Sequence, residues 1–507
     1  MTAREYGRFL YHELSPSPYR ARTTARLTLG ALLVITVMLA FKMPLLSIGP
    51  YLLFLGVQRD GFFSRVAIFA FFLVFLIVSG LLTGLTFAAW DDPWLRLPLT
   101  GLLFYGGFYL IRTFAEPRLV TGPLTILSLV TYLYDQIPNP NLIFDQIGWL
   151  WAIFGLMAVT MLLMQWIIPP PSLYRLSRLD MRAYLVSAER KLIQRAFVRP
   201  AAFPGEGFAL ERLLGTLKKA TGSKDLSARQ GKNCRDLASG VEALVQVAAS
   251  PSGAAGRPLL LSAARRVRQL RFQILWPERW RGAPSPSVPS VSETAPLQKS
   301  LHELDLILER ARTDTTPLPK AAVRLVPEDF TTNPEYHRFA LRGTLATLFC
   351  YLFMTAAHWD GIHTCMVTCI ITALASAEAR TRKQQLRIAG AVLGGICAFA
   401  CAIFVVPHVH DFTGFLLLIG AGTFIGAWIT HGNERYSYIG LQFTLALYLM
   451  LLQSTHAVTK LQPTRDRWAG ILLGTLVMWA AFARPGRKAI VEPGDEGGLS
   501  HRESAPG

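Results

Sequence analysis

The stretch Val66–Trp90 reads VAIFAFFLVFLIVSGLLTGLTFAAW and contains no charged residue. A helix needs about 20 apolar residues to cross the ~30 Å hydrocarbon core of a bilayer, and this stretch supplies them. Across all 507 residues, 51% are hydrophobic and only 17% are charged. This composition excludes an ordinary soluble enzyme, a disordered chain and a disulfide-rich secreted domain, and it predicts a membrane protein.

Apolar runs of this kind fill two blocks of the chain and leave a mixed segment between them. Twelve crossing helices are predicted, among them the runs Met43–Gln58 and Gly361–Ala377. Because runs such as Leu97–Ile111 are short, ten crossing helices with two re-entrant pieces is the alternative. The predicted domains are a cytoplasmic N-terminus at 1–26, a first transmembrane half of six helices at 27–168, a basic cytoplasmic helical domain with a Pro/Ser linker at 169–333, a second transmembrane half of six helices at 334–484, and a disordered cytoplasmic tail at 485–507.

The net charge of the chain is +18, and its Lys and Arg residues concentrate in the loops on one side of the predicted spans. The positive-inside rule therefore places both termini and the central segment in the cytoplasm. An arginine cluster at Arg265–Arg271 would suit nucleic acid, but no recognised nucleic-acid module accompanies it. Anionic lipid headgroups are the favoured contact, so membrane lipids are expected as partners and nucleic acid is not.

The two apolar blocks resemble one another in sequence. The pattern R-x-x-x-R-x-T-L begins at Arg22 and again at Arg338, and a Glu six residues before a Gly occurs at Glu116 and again at Glu434. Because six helices is an even number, duplicated halves would have the same orientation. The predicted fold class is all-α: a polytopic membrane protein with two six-helix repeats in the same orientation and a helical cytoplasmic insert. Chance similarity of Leu-rich segments is the alternative.

Signatures of enzymes are absent from the sequence. It contains no Walker A motif, no HExxH and no strand-borne GxGxxG, so the chain is not expected to hydrolyse ATP or to be an enzyme. Energy for any pumping must come from an ion gradient or a partner. We predict no cofactor and no metal, since the cysteine pairs at 365/369 and 397/401 fit apolar packing better than a soft-metal site.

The densest polar signal lies in two late segments, NERYSYIGLQ at 433–442 and RDRWAGILLG at 465–474. Tyr438 and Gln442 are four residues apart and therefore share one helix face. A phenol and an amide in hydrocarbon need hydrogen-bond partners, so this face should turn towards a cavity or another helix. Hydrogen bonding that merely fastens the bundle is the alternative.

These two segments resemble the FUSC family, the fusaric-acid-resistance-type and aromatic-acid exporters of bacterial inner membranes. The similarity runs from about Tyr19 to Ala483 and includes the six-plus-six layout with an insert. The resemblance implies proton-driven export of aromatic or weak-acid compounds from the inner membrane, alongside a periplasmic adaptor and an outer-membrane factor. The substrate would be a small organic anion or aromatic compound. A homo-oligomer is also expected.

Basic side chains at both mouths of a transport path would attract a carboxylate. An ion pair between Arg467 and Asp466 that caps the last helix is the alternative at the outer mouth. The substrate-path candidates are Arg435, Tyr436, Tyr438, Gln442, Arg465 and Arg467.

Proton coupling requires a titrating group within reach of both sides of the membrane. Histidine suits this role because its ordinary pKa of ~6.5 lies between cytoplasmic and more acidic external pH. A passive organic-anion channel and a membrane scaffold whose basic insert binds a cytoplasmic partner are the alternative functions. The proton-coupling candidates are Asp60, Glu378, His363, Glu434 and Asp466.

Overall fold

In the computed structural model, the described residues form α-helices and short 3-10 turns, and no strand occurs among them. The described residues are 18–57, 61–114, 118–137, 139–197, 208–222, 228–249, 257–275, 296–313, 329–373, 377–432, 436–452 and 462–482.

The first apolar block folds into a run of helices that alternates between long and short members. Its first helix begins at Pro18, nine residues earlier than the predicted Leu27 boundary, because the arginines of this region lie on a helix rather than in a loop. The helices are α1 (Pro18–Ala40), α2 (Ile48–Gly56), α3 (Gly61–Ala89), α4 (Pro93–Thr113), α5 (Arg118–Leu133) and α6 (Pro140–Ile167).

The central segment and the second apolar block follow. The helices of the central segment are α7 (Leu173–Phe197), α8 (Phe208–Gly222), α9 (Ala228–Ala249), α10 (Arg257–Leu275) and α11 (Pro296–Thr313). Those of the second block are α12 (Pro334–Ala356), α13 (Thr364–Thr372), α14 (Ala377–Phe404), α15 (Phe412–Thr430), α16 (Ser437–Leu451) and α17 (Gln462–Phe482).

Two of the predicted spans are much shorter than a membrane crossing. Helices α2 and α13 each contain nine residues. At ~1.5 Å per residue each extends about 14 Å, less than half of the hydrocarbon core. The apolar runs Met43–Gln58 and Gly361–Ala377 therefore each contain a helix that is too short to cross a membrane.

Six described helices are long and apolar enough to cross a membrane by length and composition. Two shorter apolar helices, Val120–Leu133 and Ser437–Leu451, accompany them. These dimensions describe a multi-pass membrane protein. The six segments are Tyr19–Ala40, Ser64–Ala89, Pro140–Ile167, Pro334–Ala356, Thr381–His408 and Phe412–Thr430.

Helices of the two apolar blocks pack against one another rather than forming two separate bundles. Helix α1 packs against α15, and α4 packs against α12. At the first of these contacts, Arg20 Nε donates to the carbonyl of Trp428 at 2.8 Å, and its guanidinium lies 4.6 Å from the centre of the Trp428 ring. Both blocks share one continuous apolar core.

Glycines permit a close helix contact between α14 and α16. A Cβ built on Gly390 would lie 2.6 Å from the carbonyl oxygen of Ile439, and one on Gly394 would lie 2.8 Å from the Cα of Phe443. Neither position can hold a larger residue without moving backbone. The G-x-x-x-G pair at Gly80 and Gly84 differs, since no atom lies within 4 Å of a Cβ built at either position.

Helices α7–α11 form a bundle with its own apolar core, separate from the core of the membrane helices. Tyr184 donates to the carbonyl of Ala238 at 3.1 Å and to the Glu242 carboxylate at 3.0 Å. Burial and the Glu242 carboxylate raise the pKa of the Tyr184 phenol, so it stays a hydrogen-bond donor at physiological pH.

Two arginines of the Arg265–Arg271 cluster are engaged within this bundle. Arg266 Nε donates to Asp305 at 3.0 Å, and Arg268 Nε donates to Glu189 at 2.6 Å. Each pair joins α10 to another helix, α11 or α7, so these guanidiniums contribute to the packing of the bundle. Arg265 is exposed.

A separate core predicts that residues 169–333 fold when expressed alone. In that fragment, Leu185→Ala should lower the free energy of unfolding by about 2–5 kcal/mol, because Leu185 is fully buried in the bundle core. Urea unfolding followed by far-ultraviolet circular dichroism measures this. Leu214→Ala is the matched control, since Leu214 is 37% exposed, and it should change stability by less than about 1 kcal/mol. A fragment without a cooperative transition would contradict the prediction.

Candidate functional site

Arg387 is the largest fully buried side chain of the described residues. It lies ten residues beyond the start of α14, on the same helix face as Gly390 and Gly394, which pack against α16. Residues at i, i+3 and i+7 share one face, so the contact that buries the glycines also buries the guanidinium.

Arg387 bonds to two neighbouring helices. Its Nε donates to Thr368 Oγ1 on α13 at 3.2 Å, and its Nη1 donates to Tyr438 Oη on α16 at 3.3 Å. Lys383, one turn earlier on α14, lies with its Nζ 5.5 Å from the centre of the Tyr438 ring. Positive charge therefore meets a phenol at this point of the bundle.

Gln442 connects this group to the last helix. Its Nε2 donates to Tyr438 Oη at 3.0 Å, and its Oε1 accepts a hydrogen bond from Arg467 Nη2 on α17 at 3.4 Å. Tyr51 of the short helix α2 lies beside Gln442 and both guanidiniums. Gln442 is fully buried and Arg467 is 5% exposed. The amide therefore bonds to one buried cation, Arg467, and is connected to the other, Arg387, through the Tyr438 hydroxyl. We call the group Tyr51, Thr368, Arg387, Tyr438, Gln442 and Arg467 the arginine site.

The charge of the arginine site is not balanced by any described carboxylate. Among the described residues, neither Arg387 nor Arg467 forms an ion pair, and Arg467 Nε is a buried donor without a hydrogen-bond partner. Removing an unpaired cation from water costs several kcal/mol. Guanidiniums are planar donors that bind carboxylate through two parallel hydrogen bonds. An anion with a carboxylate or similar group would satisfy this site.

Asp466 does not supply the missing counter-charge. Its carboxylate accepts from Arg465 Nη2 at 2.8 Å and from Trp359 Nε1 at 3.0 Å. The ion pair expected between Asp466 and Arg467 is therefore formed by Arg465, whose side chain is 65% exposed. This corrects the alternative in which Arg467 merely caps the last helix.

The remaining predicted residues are not members of the arginine site as defined here, or they lie outside the described residues. His363 stacks on Tyr132 with 4.8 Å between ring centres, and its Nδ1 donates to the carbonyl of Asp360 at 3.2 Å. Tyr436 is the half-buried residue before α16, and Glu378 is the second residue of α14. Asp60, Glu434 and Arg435 lie outside the described residues.

Sequence reasoning missed three members of the arginine site: Tyr51, Thr368 and Arg387. Arg387 stands directly before the apolar run that begins at Ile388, so hydropathy alone places it in a loop. The glycines three and seven residues after it were the available signal, since they mark the packed face of a helix that begins earlier. Nothing in the apolar surroundings of Tyr51 and Thr368 distinguishes them.

The described helices of membrane length, with guanidinium, amide and phenol groups buried between them, define a multi-pass membrane protein. The model of the fusaric acid resistance protein family matches residues 208–486, more than half of the chain. The chain belongs to this family.

Full-length comparison finds bacterial relatives named multidrug resistance protein MdtO. The protein from Shigella flexneri is 27% identical over 96% of this chain and 72% of its own length. Those from Escherichia coli O157:H7 and Escherichia coli strain K12 are each 26% identical over 92% of this chain and 70% of their own lengths. No solved structure matches the chain.

Proposed function

We propose that the protein is a bacterial inner-membrane secondary exporter of small organic anions, with aromatic and weak-acid compounds as substrates. Family membership and relatives named for multidrug resistance support efflux. The arginine site is the observation that supports a negatively charged substrate, because its two buried guanidiniums have no described carboxylate as a partner. A bound substrate carboxylate would neutralise them during transport.

The two halves are proposed to be repeats with the same orientation. Helix lengths support this proposal: successive helices of the first half have 23, 9, 29, 21, 16 and 28 residues, and those of the second have 23, 9, 28, 19, 15 and 21. In each half the second helix is the short one. Repeats of equal orientation are related by an axis along the membrane normal, with both termini and the insert in the cytoplasm.

The arginine site contains residues from helices of both halves. Tyr51 comes from the first half, whereas Arg387, Gln442 and Arg467 come from the second. Binding at a seam between elements is how alternating access exposes one site to each side in turn. Movement of α2 or α13 would change the bonds of Tyr51 or Thr368 and with them the affinity for the anion.

Proton coupling is proposed to use an acidic side chain close to this seam. Asp466 is the candidate whose surroundings are described, and it lies one residue from Arg467. Protonation of its carboxylate would release Arg465 and Trp359 from hydrogen bonds. Asp60, Glu378, His363 and Glu434 remain further candidates.

Uptake into everted vesicles or proteoliposomes tests the function. Radiolabelled benzoate should accumulate only when the vesicle interior is made more acidic than the medium. An ionophore that collapses this proton gradient should reduce accumulation to the level of empty liposomes. Asp466→Asn should abolish accumulation while still allowing counterflow exchange, because exchange needs binding without net proton movement. Accumulation that ignores the gradient would contradict proton coupling.

A passive anion channel is the second candidate, since the arginine site itself contains no described carboxylate to titrate. In a planar bilayer, a channel would give steady benzoate current that follows voltage at equal pH on both sides. An electrically silent protein that concentrates benzoate against its gradient would be an exporter.

The exporter is further proposed to work as a homo-oligomer with a periplasmic adaptor and an outer-membrane factor. This proposal rests on the resemblance to exporters of the family. Chemical crosslinking in intact cells, followed by mass spectrometry of the purified protein, would identify such partners and its own copies.

A further inference from the structure

Helix α4 of the first half packs against helix α12 of the second half along a seam of the membrane bundle. Gly101 of α4 lies beside Leu348 of α12, whereas Tyr109, further along α4, lies beside Tyr336 at the start of α12. The two helices are therefore antiparallel. In the orientation proposed above, the start of α4 and the end of α12 both lie at the outer side of the membrane.

The middle of this seam is apolar and tightly packed. A Cβ built on Gly343 would lie 2.7 Å from Cδ1 of the Phe108 ring, and Phe108 is fully buried. The two helices touch at this point across a residue without a side chain. Contacts at the two ends of the seam then determine whether α12 can tilt away from α4.

Polar side chains close the outer end of the seam. Arg96, in the first turn of α4, donates from Nη2 to Asp135 Oδ1 at 2.9 Å, and Asp135 lies just beyond the end of α5. Tyr351 of α12 donates to the other oxygen of this carboxylate, Asp135 Oδ2, at 2.7 Å. The Arg96 guanidinium also lies 5.4 Å from the centre of the Tyr134 ring. We call Arg96, Asp135 and Tyr351 the outer clasp.

The bond from Tyr351 is the part of the outer clasp that crosses between the halves, since Arg96 and Asp135 both belong to the first half. The side chains of Arg96 and Asp135 are 13% and 23% exposed, and Tyr351 is 8% exposed. A hydrogen bond from a phenol to a carboxylate is charge-assisted and therefore stronger than one between neutral groups. The ion pair with Arg96 holds the Asp135 carboxylate in place to accept it.

The inner end of the same seam has polar contacts of its own. Tyr105 Oη and His337 Nδ1 are 2.6 Å apart, and Tyr109 donates to the carbonyl of Phe330. These bonds share no residue with the outer clasp, so one end of the seam can open while the other stays closed. Alternating access rocks one repeat against the other and requires the two ends to open in turn.

Movement of α12 would reach the arginine site through α13. A 3-10 turn joins the end of α12 to α13, and the sulfur atoms of Cys350 on α12 and Cys369 on α13 are 3.6 Å apart. Thr368, beside Cys369 in sequence, accepts a hydrogen bond from Arg387. Opening the outer end of the seam would therefore change the contacts of a bound anion as well as its access to the outside.

We propose that Asp135 and Tyr351 form the outer gate of the transport path, and that Arg96 positions the Asp135 carboxylate for this role. When the bond from Tyr351 breaks, α12 tilts away from α4 and α5 at the outer end, and the inner contacts persist. The role as a gate of a transport path rests on the proposed function. The opening of the seam at this clasp does not.

Hydrogen–deuterium exchange of the full-length protein in lipid nanodiscs, followed by mass spectrometry at one fixed pH, tests the gate. Tyr351→Phe removes the bond between the halves, and Asp135→Ala removes both acceptor oxygens. In each variant, amides at the outer ends of the helices, residues 97–103 and 347–356, should exchange about tenfold faster than in the wild type. Loss of a hydrogen bond to a charged group raises the open population by about this factor, and exchange follows that population.

Two controls accompany these variants. Amides at the inner end of the seam, residues 105–113 and 334–340, should exchange at the wild-type rate. Asp91→Ala removes an exposed carboxylate just before α4 and should leave exchange at both ends unchanged. Exchange that rises equally at both ends in Tyr351→Phe would indicate loosened packing and would refute the gate.

Arg96→Gln separates a gate from a clasp that merely fastens α4 to α5. A fastening role predicts faster exchange on α4 in Arg96→Gln and no change on α12 in Tyr351→Phe, and that result would refute the gate. Benzoate uptake by the same preparations separates the gate from the proposed function. If Tyr351→Phe opens the outer end as expected while the wild type transports no benzoate, the proposed function fails and the opening of the seam stands.

Discussion

Arg467→Gln should lower kcat/KM for benzoate export by about 100-fold. Arg467 is buried, donates to Gln442 and has a further donor directed at no described partner, so it is placed to hold a substrate carboxylate. Truncating one partner of a buried, hydrogen-bonded charge pair costs about 2–5 kcal/mol, and each 1.4 kcal/mol is tenfold. Glutamine keeps an NH₂ donor group but no charge, so the expected loss is that of an ion pair.

Initial rates of benzoate uptake into proteoliposomes measure this, with the amount of folded protein fixed by size-exclusion chromatography. Arg467→Lys should recover part of the rate because it restores charge without the planar fork. Arg338→Gln is the matched control: its side chain is 58% exposed and paired with Glu335, and the rate should stay within twofold. A wild-type rate in Arg467→Gln would contradict the assignment.

Arg387→Gln should lower kcat/KM by a similar amount, and the double variant should lose less than the product of the two factors. Both guanidiniums act on one ligand through the Tyr438 and Gln442 bridge, so their contributions are not independent. If the loss of kcat/KM in the double variant equalled the product of the two single losses, the two arginines would have separate roles.

Gly394→Ala should lower the stability of the protein by about 3 kcal/mol or prevent folding. The added Cβ would lie 2.8 Å from the Cα of Phe443 and 2.9 Å from the Cβ of Ala446, which is closer than real carbon contacts. The obstacle is backbone on α16 rather than a flexible side-chain end. Overpacking of this kind costs about 1–3 kcal/mol, and more where the backbone must shift.

Thermal denaturation of a fluorescent-protein fusion in detergent measures the loss. Gly80→Ala is the matched control, because nothing lies within 4 Å of its Cβ position and alanine is the better helix former. The control should melt at or above the wild-type temperature. Equal melting temperatures for Gly394→Ala and Gly80→Ala would show that α14 and α16 do not pack as described.

Hydropathy was sufficient to predict an all-helical multi-pass protein, but it could not distinguish the short helices from crossing ones. The runs Met43–Gln58 and Gly361–Ala377 were both predicted to be crossing helices, yet each holds a nine-residue helix. Apolar turns that are buried by neighbouring helices have the same composition as apolar helix. Only tertiary packing separates the two cases.

The candidate site was predicted in part, from residue type and spacing on single helices. Tyr438 and Gln442 do share a face and bond to one another, as a spacing of four requires. Arg387 precedes Tyr438 by 51 residues and Tyr51 precedes it by 387 residues. No pattern within one helix can predict contacts between residues so far apart in sequence. Hydropathy also assigns an arginine at the edge of an apolar run to a loop, so it did not reveal that Arg387 is buried within a helix.

The central claim is that the arginine site holds the carboxylate of the transported anion. An experimental structure of the protein with 4-bromobenzoate tests it most directly, because bromine marks the ligand in the density. We predict ligand density with its carboxylate bonded to Arg387 and Arg467 and its ring beside Tyr51. A carboxylate of the chain itself bonded to both guanidiniums, with no ligand between them, would contradict it.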